Sequence, residues 1–97
     1  MARQIIWSVL ASDDLVSIAK YISRDSEFYA AAVVRELVAA AQSLNAFAER
    51  GRSVPEYDDP SVRELVVGKC RLVYRVRPEQ IEVVRIIHGS REMPPTI

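Results

Sequence analysis

The chain has 97 residues, 49% apolar and 27% charged, with a formal net charge of zero at pH 7. Such a composition excludes disordered and fibrous classes and fits one small domain over residues 1–97. A single cysteine, Cys70, rules out an intrachain disulfide and a multi-cysteine metal site, and it points to a reducing compartment, with cytoplasm as the expectation.

The first stretch, MARQIIWSVLASDD, holds an apolar run broken at Ser8. It is too short to span a membrane and lacks a convincing signal cleavage site, so it is taken as mature protein. Within it, Arg3 to Trp7 has the β-branched and aromatic make-up of a strand. Ser12 followed by Asp13 and Asp14 then has the signature of a helix N-terminus, with carboxylates in the first turn. Leu15, Ile18, Ala19 and Ile22 fall on one helical face, and that helix is expected to end near Ser23 and Arg24.

A second helix is expected from Asp25 or Ser26, with Ala30, Val33, Val34, Leu37, Ala41 and Leu44 on its apolar face and Gly51 as its stop. About 22 residues of helix would span roughly 33 Å. The alanines at 30 to 32 and 39 to 41 allow close packing within the domain. Gly51 to Pro60, rich in Pro, Gly and Asp, is expected to be a loop.

From Val62 onward come three runs rich in Val, Ile and Leu, broken at Gly68-Lys69 and at Pro78-Glu79-Gln80. They predict successive strands of a meander, the first two pairing as a hairpin. Two prolines in Met93-Pro94-Pro95-Thr96-Ile97 keep the tail from continuing a strand. The order strand, helix, helix and three strands predicts an α+β fold, with a helical hairpin packed on a small antiparallel sheet.

Charge is unevenly spread along this plan. Residues 1–61 carry 6 basic and 9 acidic side chains, a net of −3, whereas residues 62–97 carry 7 basic and 4 acidic ones, a net of +3. Six of those seven cations are arginines, which grip phosphate or carboxylate with a planar fork. Alternation along the second strand puts Cys70, Leu72, Tyr74 and Val76 on one face and Arg71, Val73, Arg75 and Arg77 on the other. The first set is expected to be core, and the second an arginine stripe on the face away from the helices. The third run, Ile81 to Ile87, is apolar on both faces apart from Glu82 and Arg85, as in a central strand.

His88, the only histidine, stands in His88-Gly89-Ser90-Arg91 at the end of that strand. Imidazole beside guanidinium can act as acid or base next to a phosphate clamp. The structural alternative is a histidine capping the strand end through a backbone hydrogen bond, with Arg91 paired to Glu92 or Glu64. There is no Gly-rich phosphate loop, nucleophile elbow or HExxH motif, and one His with one Cys gives no plausible metal constellation. No metal and no cofactor are expected.

Taken together, Trp7, Ala11, Asp14-Leu15, Ile18, Tyr21-Ile22, Leu44, Phe47, Gly51-Arg52, Val54-Pro55-Glu56, Arg63-Glu64-Leu65, Arg71-Leu72-Val73-Tyr74-Arg75-Val76 and His88-Gly89-Ser90-Arg91 resemble the ParE/RelE superfamily of bacterial toxins. The resemblance runs in order over nearly the whole chain, with the GR-x-VPE loop, the REL strand and the HGSR ending closer to ParE. It implies the toxin of a type II toxin–antitoxin pair of the plasmid-stabilisation kind, inhibiting growth and neutralised by a ParD-like antitoxin. The complex it implies is a heterodimer doubled to a heterotetramer or larger, with no membrane association and no sequence-specific DNA binding.

The superfamily offers two targets. ParE-like members bind DNA gyrase and do no chemistry of their own; RelE-like members are ribosome-dependent mRNA endoribonucleases. For a nuclease, the resemblance gives catalytic roles to Arg71, His88 and Arg91. Against that, Pro94-Pro95-Thr96-Ile97 stand where RelE carries a catalytic tyrosine, and Arg63-Glu64-Leu65-Val66-Val67 replaces a strand bearing two lysines. The expectation leans to a gyrase-binding inhibitor that is not an enzyme, with Arg63, Arg75, Arg77 and Arg85 as antitoxin or target contacts.

Overall fold

The structure is a computed structural model, and it describes residues 2–97; Met1, at the start of the expected domain, lies outside the described residues. Strand β1 (Gln4–Trp7) leads into helix α1 (Val9–Ser23), which turns back through α2 (Glu27–Ser43). After these come a two-residue β2 (Arg52–Ser53) and the longer β3 (Val62–Val67), β4 (Cys70–Val76) and β5 (Gln80–His88). The sheet order is β1-β5-β4-β3-β2, with β5 and β4 at its centre. The expected helical hairpin on a small sheet is present. The sheet is mixed, because β1 runs parallel to β5 while every other pairing is antiparallel.

Two helix boundaries differ from expectation, and the expected loop contains a short strand. Helix α1 starts one turn early: its cap is Ser8, whose hydroxyl accepts the Ala11 amide at 3.0 Å and donates to the Val84 carbonyl at 2.9 Å. Ser12 to Asp14 therefore lie inside the helix. Helix α2 begins as expected, with the Ser26 hydroxyl accepting from the Tyr29 amide, but it ends at Ser43 after 17 residues, about 25 Å of axis. There the Ser43 hydroxyl bonds the Ala40 carbonyl, and the Asn45 side chain and backbone bond Arg3. These polar contacts pull the chain out of the helix well before Gly51. The Gly51–Pro60 segment is irregular apart from β2, which pairs Arg52 with Glu64 and Ser53 with Arg63.

The larger core lies between helices and sheet. Ala11, Ile18, Leu37, Ala41 and Leu44 meet Leu65, Cys70, Leu72, Tyr74, Ile81, Val83 and Ile86 there. Burial pushes the pKa of the Cys70 thiol up, in keeping with a core side chain. Tyr74 is fully buried; its hydroxyl donates to the Ala48 carbonyl at 2.8 Å and accepts the Gly51 amide at 2.9 Å. Gly51 has to be glycine on steric grounds, since a Cβ would sit 2.5 Å from both the Glu64 carbonyl and the Tyr74 hydroxyl.

Val54, Val62, Val73, Val84 and Ile87 form a second, smaller core on the outer face of the sheet, with Tyr57 and Met93 packed over it. The Tyr57 hydroxyl donates to the Pro94 carbonyl, so loop and tail cover this face together. A bulge in β5 sets its facing pattern: Arg85 pairs with Val73 and Val83 with Tyr74, leaving Val84 as the extra residue. No helix among the described residues is long and apolar enough to cross a membrane.

Candidate functional site

The two outer-face residues nearest the end of the β4–β5 hairpin are Arg71 and Ile87, paired across the strands; the next pair, Cys70 and His88, points to the helix face. Arg71 and His88 thus leave the sheet on opposite sides. Arg91, just past the end of β5, is exposed and lines a depression on each side: one with Arg71, Glu56 and Ser90, the other with His88, Tyr21 and Ser17. Of the three expected catalytic residues, Arg91 adjoins each of the others, but Arg71 and His88 do not share a site.

Arg71 is held between two carboxylates. Its Nε donates to Glu64 Oε1 at 2.7 Å, and Nη2 approaches that same oxygen at 2.6 Å. Its outward fork is bidentate on Glu56, Nη1 to Oε2 at 2.8 Å and Nη2 to Oε1 at 2.7 Å. Glu64 has no exposed side-chain surface, and its other oxygen takes the Arg52 Nε at 2.8 Å. Glu56, by contrast, keeps 42% of its side chain in solvent. Hydrogen bonds from Arg71 hold the Glu56 carboxyl down to about 2, and those to Glu56, then Glu64, raise the guanidinium further above its usual range.

The expected arginine stripe is present in position but not as free charge. Arg75 reaches Asp59 at 3.1 Å, Arg77 reaches Glu82 at 3.3 Å, and Arg85 binds Asp14 through Nε and Nη2 at 2.7 and 3.0 Å. Arg63 donates to the Gly51 carbonyl at 2.8 Å. Each of the four expected contact residues therefore has an intrachain partner. Asp14 also accepts the Ile86 amide, so it locks α1 to β5 in mid-helix instead of stabilising a first turn. Hydrogen bonding to Asp14 raises the Arg85 guanidinium as well.

His88 does not cap its strand through the backbone: among the described residues its ring makes no hydrogen bond. It packs edge-on against Tyr21, centroids 5.7 Å apart, and Tyr21 in turn lies under the Arg24 guanidinium. Arg91 pairs with neither Glu92 nor Glu64, because both Glu64 oxygens are already taken by Arg52 and Arg71. No cluster of three His, Cys, Asp or Glu side chains suited to a metal ion occurs among the described residues.

Of the two carboxylates on Arg71, sequence reasoning offers Glu64 only as a partner for Arg91 and does not mark Glu56. Glu64 interrupts an apolar run at a position that alternation puts on the covered outer face with Val62, one register step diagonal from Arg71. That placement is the signal that marks it. Glu56 gives no such signal, since loop geometry alone brings it to Arg71.

Residues 5–93 match the family described as the ParE toxin of the type II toxin–antitoxin system parDE. The toxin RelE2 of Caulobacter vibrioides is 35% identical over 89 residues, covering 91% of this chain and 97% of the relative. Among solved structures, the chromosomal ParDE system from P. aeruginosa superposes with a TM-score of 0.75 at 24% identity, over 92% of this chain and 98% of that one. The RelBE2 toxin–antitoxin complex of Mycobacterium tuberculosis does so with a TM-score of 0.68 at 18% identity, over 94% and 95%. At these identities the structural likeness speaks for the fold.

Proposed function

The chain belongs to the ParE toxin family of type II toxin–antitoxin systems, and from that premise we propose that it arrests growth by binding DNA gyrase, without cutting a substrate itself. The observation that carries this reading is the separation of Arg71 from His88 across the sheet. A ribonuclease needs its acid–base group at the phosphate clamp, and here imidazole and clamp face different ways. Pro94 to Ile97, where an acid–base tyrosine would be needed, carry no titratable side chain.

A ParD-like antitoxin is the proposed neutralising partner, in a heterodimer doubled to a heterotetramer or larger; the two structural relatives described above are named as toxin–antitoxin systems. The surface suits an amphipathic partner helix, with Val9, Leu10 and Val16 exposed on α1 and Phe28 and Tyr29 on α2. On this reading the protein works in the cytoplasm, where its target lies.

One observation favours the second reading, a ribosome-dependent mRNA endonuclease: Arg91, without an ion pair among the described residues, lines the same depression as His88. Inducing the chain without its antitoxin, and following the DNA-damage response and protein synthesis in parallel, separates the two. The expected outcome is an early damage response with translation still running, and a His88→Gln variant that remains toxic. Immediate arrest of translation with cut mRNA, abolished by His88→Gln in a chain that still unfolds at the wild-type temperature, would replace gyrase with the ribosome.

A further inference from the structure

Helix α2 buries one side and leaves the other bare. Ala30, Leu37 and Ala41 face the core, whereas Ala31 and Ala39 are exposed, so the two alanine groups of the sequence are split between the sides. On the bare side Phe28, Ala31, Arg35, Val38 and Gln42 follow one another in alternate steps of three and four residues, every one of them exposed. That is the spacing of a seam between two helices. Phe28, with 83% of its surface in solvent, is the most exposed large apolar side chain among the described residues.

The charges beside the seam decide what fits over it. Glu27 and Arg35 are exposed, and neither has an ion-pair partner among the described residues. Eight residues apart, they stand about 12 Å from each other along the axis and do not meet within the helix. A second α2 laid antiparallel on the first gives both a partner. In the register that sets Phe28 on Val38 of the second copy, Arg35 faces Ala31, whose small side chain leaves room for the arginine stem. Its guanidinium then reaches Glu27 one turn further along. Twofold symmetry makes every such contact twice. A parallel pairing would instead set Glu27 beside Glu27 and Arg35 beside Arg35.

We infer that the outward face of α2 is a homodimer interface: in the free chain it is covered by α2 of a second copy, antiparallel about a twofold axis level with residue 33, with Phe28 on Val38 and Glu27 paired with Arg35 across the axis. A single helix pair falls below the area of a stable dimer, so the association is weak, with a dissociation constant on the order of tens of micromolar. The assignment concerns the free chain and does not depend on the target. Phe28 also belongs to the face offered above to an antitoxin helix, so the two occupants exclude each other there.

Sedimentation velocity of the purified chain tests it. The wild type is expected to pass from monomer to dimer across about 5 to 500 μM. Glu27→Arg and Arg35→Glu each bring like charges together across the axis and should each weaken the dimer about tenfold or more. The double variant Glu27→Arg/Arg35→Glu should recover the wild-type association. An equimolar mixture of the two single variants should form a heterodimer, because one then carries two cations and the other two anions at the paired positions. Phe28→Ala should weaken the dimer with no change in charge, whereas Glu36→Arg, exposed on the same helix but off the seam, should leave it as it is. Thermal unfolding verifies that each variant is folded. A monomer at every concentration would leave this face to the antitoxin helix and overturn the assignment. So would a dimer that neither charge reversal weakens, or single variants that fail to pair on mixing.

Discussion

Glu64 is a fully hidden carboxylate, and the two arginines that neutralise it differ in what they lose to solvent. Arg71 keeps only 22% of its side chain exposed, whereas Arg52 keeps 65%. Removing Arg71 leaves the buried charge half compensated, and Arg71→Ala is expected to lower stability by about 3 kcal/mol. Removing Arg52 also takes a partner from the buried carboxylate, but at a site that water can refill, so Arg52→Ala should lower it by less than Arg71→Ala does. Urea unfolding of the two variants checks the ranking; equal losses would mean that Arg52 shares the burden. For the same reason, lost toxicity in Arg71→Ala reports on folding and cannot by itself reveal a catalytic role. At this scale residue type exposed the cations and hid their partners. Arg71, His88 and Arg91 could be picked out because guanidinium and imidazole are conspicuous near a strand end. That Arg71 was already satisfied could not, because Glu56 reaches it through a loop whose path no periodicity encodes.

Where apolar spacing alone decides an element, the sequence was sufficient: β3, β4 and β5 follow the three Val/Ile/Leu runs, and their break points are the turns. Where a polar side chain chooses between local and distant partners, it was not. Ser12-Asp13-Asp14 has the stronger capping signature, yet Ser8 caps α1 because its hydroxyl also donates to the Val84 carbonyl in the central strand. Ser8→Ala should therefore destabilise by about 1 to 2 kcal/mol, combining the lost cap with an unsatisfied carbonyl. Ser12→Ala, inside the helix and exposed, should stay within about 0.5 kcal/mol of wild type. Denaturant midpoints decide the matter, and the reverse order would return the cap to Ser12. The overlong expectation for α2 has the same origin, since Ser43 and Asn45 bond backbone groups that a propensity count leaves to the helix.

Across the whole molecule, the outer face sets ion pairs around its small apolar core, and those pairs give it a pH signature. Arg71 holds the folded-state Glu56 carboxyl down to about 2, below the ordinary 4.5, and bonds from Ser61, then Arg75, lower Asp59 from 3.8. A depressed folded value means stabilisation that is complete above the unfolded value and lost as pH falls toward the folded one. The wild type should thus exceed a Glu56→Gln/Asp59→Asn variant in melting temperature by a constant margin above about pH 5, and the margin should shrink as pH falls and close only below about pH 2. A margin unaltered by acid would mean that these bonds contribute nothing to folding. The parallel seam between residues 4–7 and 80–83 has a different kind of consequence, one for biosynthesis. The strand on which both β1 and β4 depend is made after every other element, so during translation the α1–α2 hairpin waits with its apolar face uncovered. A nascent chain stopped short of residue 80 has no central strand and cannot assemble the sheet. A chain that ends before β5 therefore lacks the one partner of β1 and the central neighbour of β4.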